Sequence, residues 1–126
     1  MQGAVYTVRL IQKADMSQPQ SDTASQTTFT PEEYRAALGQ FATGVTVVTA
    51  RAADGSLVGL TANSFNSVSL DPPLVLWSLA KQSGSMPGFL SASHYAINVL
   101  GADQRQLAER FARKGIDRFD GAPWKP

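Results

Sequence analysis

The sequence predicts a small, mainly β domain with helices flanking an antiparallel barrel. Three observations predict it. Two runs rich in β-branched and apolar residues, Val45–Ala52 and Leu57–Phe65, flank an Asp54-Gly55 turn and read as a hairpin. Two further short apolar runs, Leu74–Ala80 and His94–Leu100, follow with turn residues between them. The longer helical patterns lie outside this block, over 30–44 and 103–114. The order helix, hairpin, strand, strand, helix favours a small barrel over a doubly wound sheet.

Composition bounds the function. The chain has 126 residues, 43% of them apolar, which suits one domain with a real core. Its 11 basic and 10 acidic residues are spread along the chain for a net charge of +1. That leaves no basic footprint for nucleic acid and none for an anionic membrane surface. There is no cysteine, so a disulfide framework and a thiolate metal site are both excluded. A single histidine, His94, excludes a multi-histidine metal site. No apolar run approaches the roughly 18 residues of a membrane helix. Arg9 interrupts Val5, Val8, Leu10 and Ile11, and no small-residue cleavage site follows, which argues against a signal peptide. A cytoplasmic location is expected.

Residues 4–11 have the pattern of a short strand, with Tyr6, Val8 and Leu10 on one face. Residues 13–28 are polar, contain Pro19, and read as a linker. This divides the chain into an extension, 1–28, and a domain, 29–126. Thr30, Pro31 and Glu33 form a helix start with a capping box. Tyr34, Ala37, Leu38 and Phe41 then share a face expected to cover a core, and Gly44 is expected to stop the helix. After the hairpin, Asp71-Pro72-Pro73 breaks the ladder. Lys81–Ser85 is a polar turn, and Ser85 is expected to cap a short helix holding Phe89 and Leu90. Asp103 with Gln106 is expected to cap the last helix, whose apolar face is Leu107, Ala108 and Phe111 and which Gly115 stops. The tail from Ile116 has no clear period.

The stretch Gly59–Pro73, GLTANSFNSVSLDPP, is unusual. At period two, Thr61, Asn63, Phe65, Ser67 and Ser69 face one side, and Leu60, Ala62, Ser64, Asn66, Val68 and Leu70 the other. Polar groups lie on both faces, yet Asp71 is the stretch's only charge. Buried hydroxyls and amides left unpaired cost about 1–3 kcal/mol each, so the run needs partners. Either it satisfies itself as a turn junction, or a polar ligand such as a phosphate or a heterocycle edge supplies them.

Followed by Leu74-Val75-Leu76-Trp77-Ser78, this stretch resembles the signature of the flavin reductase-like family, the FMN-binding split barrels. These are the reductase components of two-component monooxygenases and their relatives. The likeness runs from about Phe29 to the C-terminus, through FATGVTVVT and HYAINVL followed by Gln104. It implies a Greek-key-like split β-barrel, a site for FMN or FAD, and NADH or NADPH as co-substrate. It also implies a homodimer and a monooxygenase that takes the reduced flavin. By position, Thr61, Ala62, Asn63 and Ser64 with Ser67, Val68 and Ser69 would contact the isoalloxazine edge and the ribityl phosphate. Thr46, on the adjacent strand, would face the same groove. Lys81, Ser83 and Ser85 would reach a phosphate or pyrophosphate, the two serines having plain turn roles as the alternative. Asn98 would bond the flavin or, alternatively, tie strand to strand. Arg118 and Asp120 either contact a nucleotide or form a solvated turn.

No side chain is expected to act as acid or base, because hydride transfer to flavin N5 is the cofactors' own chemistry. His94 opens a strand and receives no catalytic role, and Trp77 reads as core or dimer interface. In the family, more strands follow the 103–114 helix, so the barrel is expected to be incomplete at its C-terminus. Its open edge would be filled by residues 4–11 or by a dimer partner. The main rival to a reductase is a flavin-binding protein without turnover. A general interaction domain leaves the polar stretch unexplained.

Overall fold

A computed structural model of the protein describes the backbone of residues 5–9 and all of residues 30–123. The linker 13–28 and Trp124 lie outside the described residues. The chain divides into two compact units, 11–43 and a larger one combining 1–10 with 44–126.

In the smaller unit, helix α1 (Pro31–Leu38) starts as its sequence dictates. The Thr30 hydroxyl accepts the Glu33 N–H at 3.2 Å, and the Glu33 carboxylate accepts the Thr30 N–H at 2.7 Å. The Thr30 N–H first, and then the Thr30 side chain, hold the Glu33 carboxyl below its ordinary pKa. The helix ends at Leu38, not Gly44, and its N–H at Gly39 closes on Arg35. Gly39 is a poor helix former and already supplies the stop. None of the helix's residues is buried, against the expectation of a core-covering face.

The larger unit holds a four-stranded antiparallel sheet, ordered β1 (Val5–Arg9), β6 (His94–Val99), β2 (Thr46–Arg51), β3 (Leu57–Ala62). A separate two-stranded ribbon pairs β4 (Asn66–Leu70) with β5 (Pro73–Leu76). Residues 52–56 connect β2 to β3. There Gly55 takes φ +85°, and the Asp54 carboxylate accepts both the hydroxyl and the N–H of Ser56. β1 takes the free side of β6, from Val5 opposite Asn98 to Arg9 opposite His94. Among the described residues these strands do not close into a barrel. No helix among them is long and apolar enough to cross a membrane.

Strand alternation gives the sheet two different faces. One presents Val48, Ala50, Ala62 and Ile97, which form the core with Phe89 of helix α2 (Met86–Ser91) and with Ala92. Trp77, Phe89 and Tyr95 meet edge to face, with ring centroids 5.1 to 5.6 Å apart. Trp77 is therefore a core residue. The opposite face packs on helix α3 (Arg105–Ala112), whose Phe111 is buried and meets Phe119 edge to face at 5.1 Å. A Cβ on Gly59 would lie 2.7 Å from the Phe111 ring, so only glycine permits this approach.

Three sequence expectations are corrected here. The polar stretch is not one alternating strand: residues 63–65 leave β3, and β4 then belongs to the other sheet, with a register shift between Ser67 and Ser69. Small polar residues form such corners readily, and the two-sided polarity follows from the change of sheet. Ser85 makes no side-chain cap on α2. Finally, a 3-10 turn over Ala102–Gln104 precedes α3, and it is the Gln104 side chain that accepts the Gly101 N–H, not an Asp103 cap.

Candidate functional site

The residues singled out in the sequence sort by what their polar atoms already do. A carbonyl can only accept, so a hydroxyl bonded to one has spent its proton. Thr46 donates to the Ala62 carbonyl at 2.8 Å and is 1% exposed. It braces the hairpin from inside the sheet and does not open on a groove. Thr61 donates to the Ala108 carbonyl at 2.5 Å, stitching β3 to α3. Ser69 donates to the Asp71 carbonyl at 3.1 Å within its own turn. Asn98 donates through its amide nitrogen to the Val47 carbonyl at 3.1 Å, which is the strand-tying role.

A second group works the other way. A backbone N–H can only donate, so a hydroxyl bonded to one accepts and keeps its own proton. Ser64 accepts the Ser78 N–H at 2.9 Å, which ties the 63–65 corner to the end of β5. Ser83 accepts the Ser85 N–H at 3.3 Å. Ser85 accepts from the Arg118 guanidinium at 3.2 Å. All three O–H groups remain available as donors. Asn63, Ser67 and Lys81 are exposed and make no side-chain hydrogen bond with the described residues. Ala62 is buried under the corner, and Val68 stands exposed at the bulge.

The candidate residues fall in two segments, a corner, Asn63–Ser67, and a loop, Lys81–Ser85. Their unspent hydroxyls, carboxamide and ammonium all offer donors, with one positive charge and no carboxylate. Phosphate oxygens and ring carbonyls are acceptors, so the donor set fits a phosphorylated heterocycle. His94 is exposed, with its Nδ1 2.9 Å from the Ser93 hydroxyl, and takes no part.

Sequence reasoning undervalued Arg118. Its guanidinium reaches the Gly59 carbonyl at 2.6 Å and the Arg113 carbonyl at 2.7 Å, besides Ser85. Arg110 in turn donates to the Arg118 carbonyl at 3.0 Å and to the Asp120 carbonyl. The Asp117 carboxylate accepts the N–H groups of Phe119 and Asp120. The tail segment is thus a turn clasped by its own hydrogen bonds, with Arg118 and Phe119 half-buried and Asp117 and Asp120 exposed.

Comparison with known proteins agrees with this architecture. The family model described as "Flavin reductase like domain" matches residues 38–126. The chain is 58% identical over 92 residues to FMN reductase (NADH) SmoA of Agrobacterium fabrum, covering 73% of this chain and 52% of that protein. It is 52% identical to the reductase component of the flavin-dependent trigonelline monooxygenase of Acinetobacter baylyi, covering 73% of this chain and 30% of that one. Among solved structures, the NADH:FAD oxidoreductase SgcE6 of Streptomyces globisporus, in complex with NAD and FAD fragments, superposes with a TM-score of 0.65. That match is 42% identical and covers 75% of this chain and 56% of the other. The chain spans about half the length, or less, of the relatives it matches. Its mainly β architecture with flanking helices is that of flavin reductase split barrels, present in part. On both the family match and the fold, the chain belongs to the flavin reductase-like family.

Proposed function

We propose that this chain carries the flavin-holding part of an NAD(P)H-dependent flavin reductase. It takes FMN or FAD with NADH or NADPH, acts in the cytoplasm, and hands reduced flavin to a monooxygenase. One observation carries the reading: the corner and the loop keep their O–H, carboxamide and ammonium donors unspent, while neighbouring hydroxyls are spent inside the fold. The relatives' names, FMN reductase and monooxygenase reductase component, point the same way.

Bound flavin would supply the redox chemistry, accepting hydride from the nicotinamide. The protein's own work is placement. Asn63, Ser64 and Ser67 donate toward the ring system and ribityl chain, and Lys81, Ser83 and Ser85 toward phosphate. Thr46 and Asn98 hold the sheet under them, and Thr61 holds α3. Donors fixed before the ligand arrives cost no rearrangement on binding.

We also propose a homodimer. Val68, Leu70 and Leu76 stand exposed on the β4–β5 ribbon, Leu70 at 95%. A two-stranded ribbon is marginal in water without a covering layer, which a second copy would provide. Sedimentation that finds only monomer at high concentration removes this part of the proposal. The function itself is tested by titrating the purified chain with FMN and FAD, then following NADH and NADPH oxidation with free flavin present. Flavin binding with turnover is the expected result. Binding without turnover shows a flavin carrier instead, and no binding removes the reading.

A further inference from the structure

We infer that Arg118 is a positioning residue for the phosphate-binding loop, and this rests on the flavin reading above. Three of its bonds bring separate parts of the chain to one point. It reaches β3 through the Gly59 carbonyl, the 81–85 loop through the Ser85 hydroxyl, and the end of α3 through the Arg113 carbonyl. Arg118 is itself half-buried and held from behind by Arg110 on its carbonyl. Phe119, its neighbour, is seated against Phe111. A guanidinium anchored on the Gly59 and Arg113 carbonyls gives the loop a fixed point to dock on.

The direction of the Ser85 bond gives this a chemical consequence. The guanidinium has donors only, so the Ser85 oxygen must accept, and its proton turns away from Arg118. Ser83 then accepts the Ser85 N–H, so its proton is free as well. One cation in the tail thereby leaves the Ser85 hydroxyl a donor, next to the Ser83 hydroxyl whose own proton is also free. Arg118 acts on the ligand through Ser85 and does not touch it. Lysine cannot replace it, because a single ammonium lacks the planar fork that serves three acceptors in different directions.

The test compares FMN with riboflavin, which shares the ring system and ribityl chain but has no phosphate. Binding of both is measured on the full chain by flavin fluorescence for wild type, Arg118→Lys, Arg118→Gln and Ser85→Ala. Amide exchange across 81–85 is followed in each without ligand. Arg118→Gln and Arg118→Lys should each weaken FMN about tenfold, the scale of one lost charge-assisted bond, with riboflavin unchanged. Exchange in the loop should rise in both. Ser85→Ala leaves the bonds of Arg118 to Gly59 and Arg113 in place, so it controls for loss of the tail's docking. It should lower FMN affinity similarly, and the double variant Arg118→Gln with Ser85→Ala should be no worse than either alone. Retained FMN preference in Arg118→Lys would show direct charge contact with phosphate and overturn positioning. Additive losses, or loop exchange unmoved by every variant, would overturn it too. If wild type binds neither flavin, the functional reading fails, while the exchange data still decide whether Arg118 holds the loop.

Discussion

The two faces of the four-stranded sheet are built by different means. Against α2 the contacts are apolar: Val48, Ala50 and Ile97 meet Phe89, Trp77 and Tyr95, and the Tyr95 hydroxyl donates to the Phe89 carbonyl at 3.1 Å. Against α3 a single aromatic pair is supplemented by directed bonds, from Thr61 to Ala108 and from Arg118 to Gly59. Area burial is non-directional and tolerates small shifts, whereas directed bonds fix one arrangement. The first face buries the larger apolar cluster, and the second carries the bonds that tie the tail to β3 and the 81–85 loop.

Substitutions should separate these two roles. The largest effect is expected from Phe89→Ala, at 1% exposure the fullest side chain of the core. It should cost about 3–5 kcal/mol, a large share of a small domain's stability, read as the midpoint of chemical unfolding. A loss below about 1 kcal/mol would mean the apolar face is not the main support.

Next come the two glycines, one on each face. A Cβ on Gly88 would lie 2.4 Å from a Val58 methyl, and one on Gly59 would lie 2.7 Å from the Phe111 ring. Alanine at either position should cost about 1–3 kcal/mol through overpacking. Only Gly59→Ala should also loosen the 81–85 loop, since Arg118 bonds the Gly59 carbonyl. Equal loop exchange in both variants would erase the distinction between faces.

Thr61→Val should cost about 1 kcal/mol, because the Ala108 carbonyl loses its donor. By contrast, Asn63→Ala and Ser67→Ala should stay within about 0.5 kcal/mol of wild type in stability, having no side-chain hydrogen bond to the described residues to lose, yet weaken flavin binding. A stability loss there matching that of Thr61→Val would show that the corner is spent on the fold after all.

The smallest effect is a pH dependence at the hairpin. The Ser56 hydroxyl, and then its N–H, lower the Asp54 pKa. A depressed folded pKa contributes stability that is complete above the unfolded value of about 3.9 and is lost as pH falls through the folded one. Acid titration should therefore loosen the Ser56 N–H only below the ordinary aspartate range. A Ser56 amide signal that moves at the ordinary aspartate value would contradict this.

What could be read in the sequence was local. Thr30 and Glu33 lie three residues apart, and the cap formed as spaced. Asp54-Gly55 carried its turn for the same reason. The corner at 63–65 escaped because Ser, Asn and Thr suit strand ends and turns alike, so a period-two count runs straight through it. The fate of each hydroxyl was illegible for a different reason. Thr61 and Ser64 look equivalent in sequence, but one meets a carbonyl 47 residues on and the other an N–H 14 residues on. Arg118 was hidden the same way: its main partner is a backbone carbonyl 59 residues earlier, which no side-chain pattern marks.

The pairing of β1 with β6 places Val5 opposite Asn98, across most of the chain's length. A nascent polypeptide leaves the ribosome N-terminus first. β1, made before β6, therefore cannot take this place until His94–Val99 has emerged and settled beside β2. Its docking is a late step in biogenesis, and until then the outer side of β6 can recruit any extended peptide nearby, including the same segment of another newly made molecule.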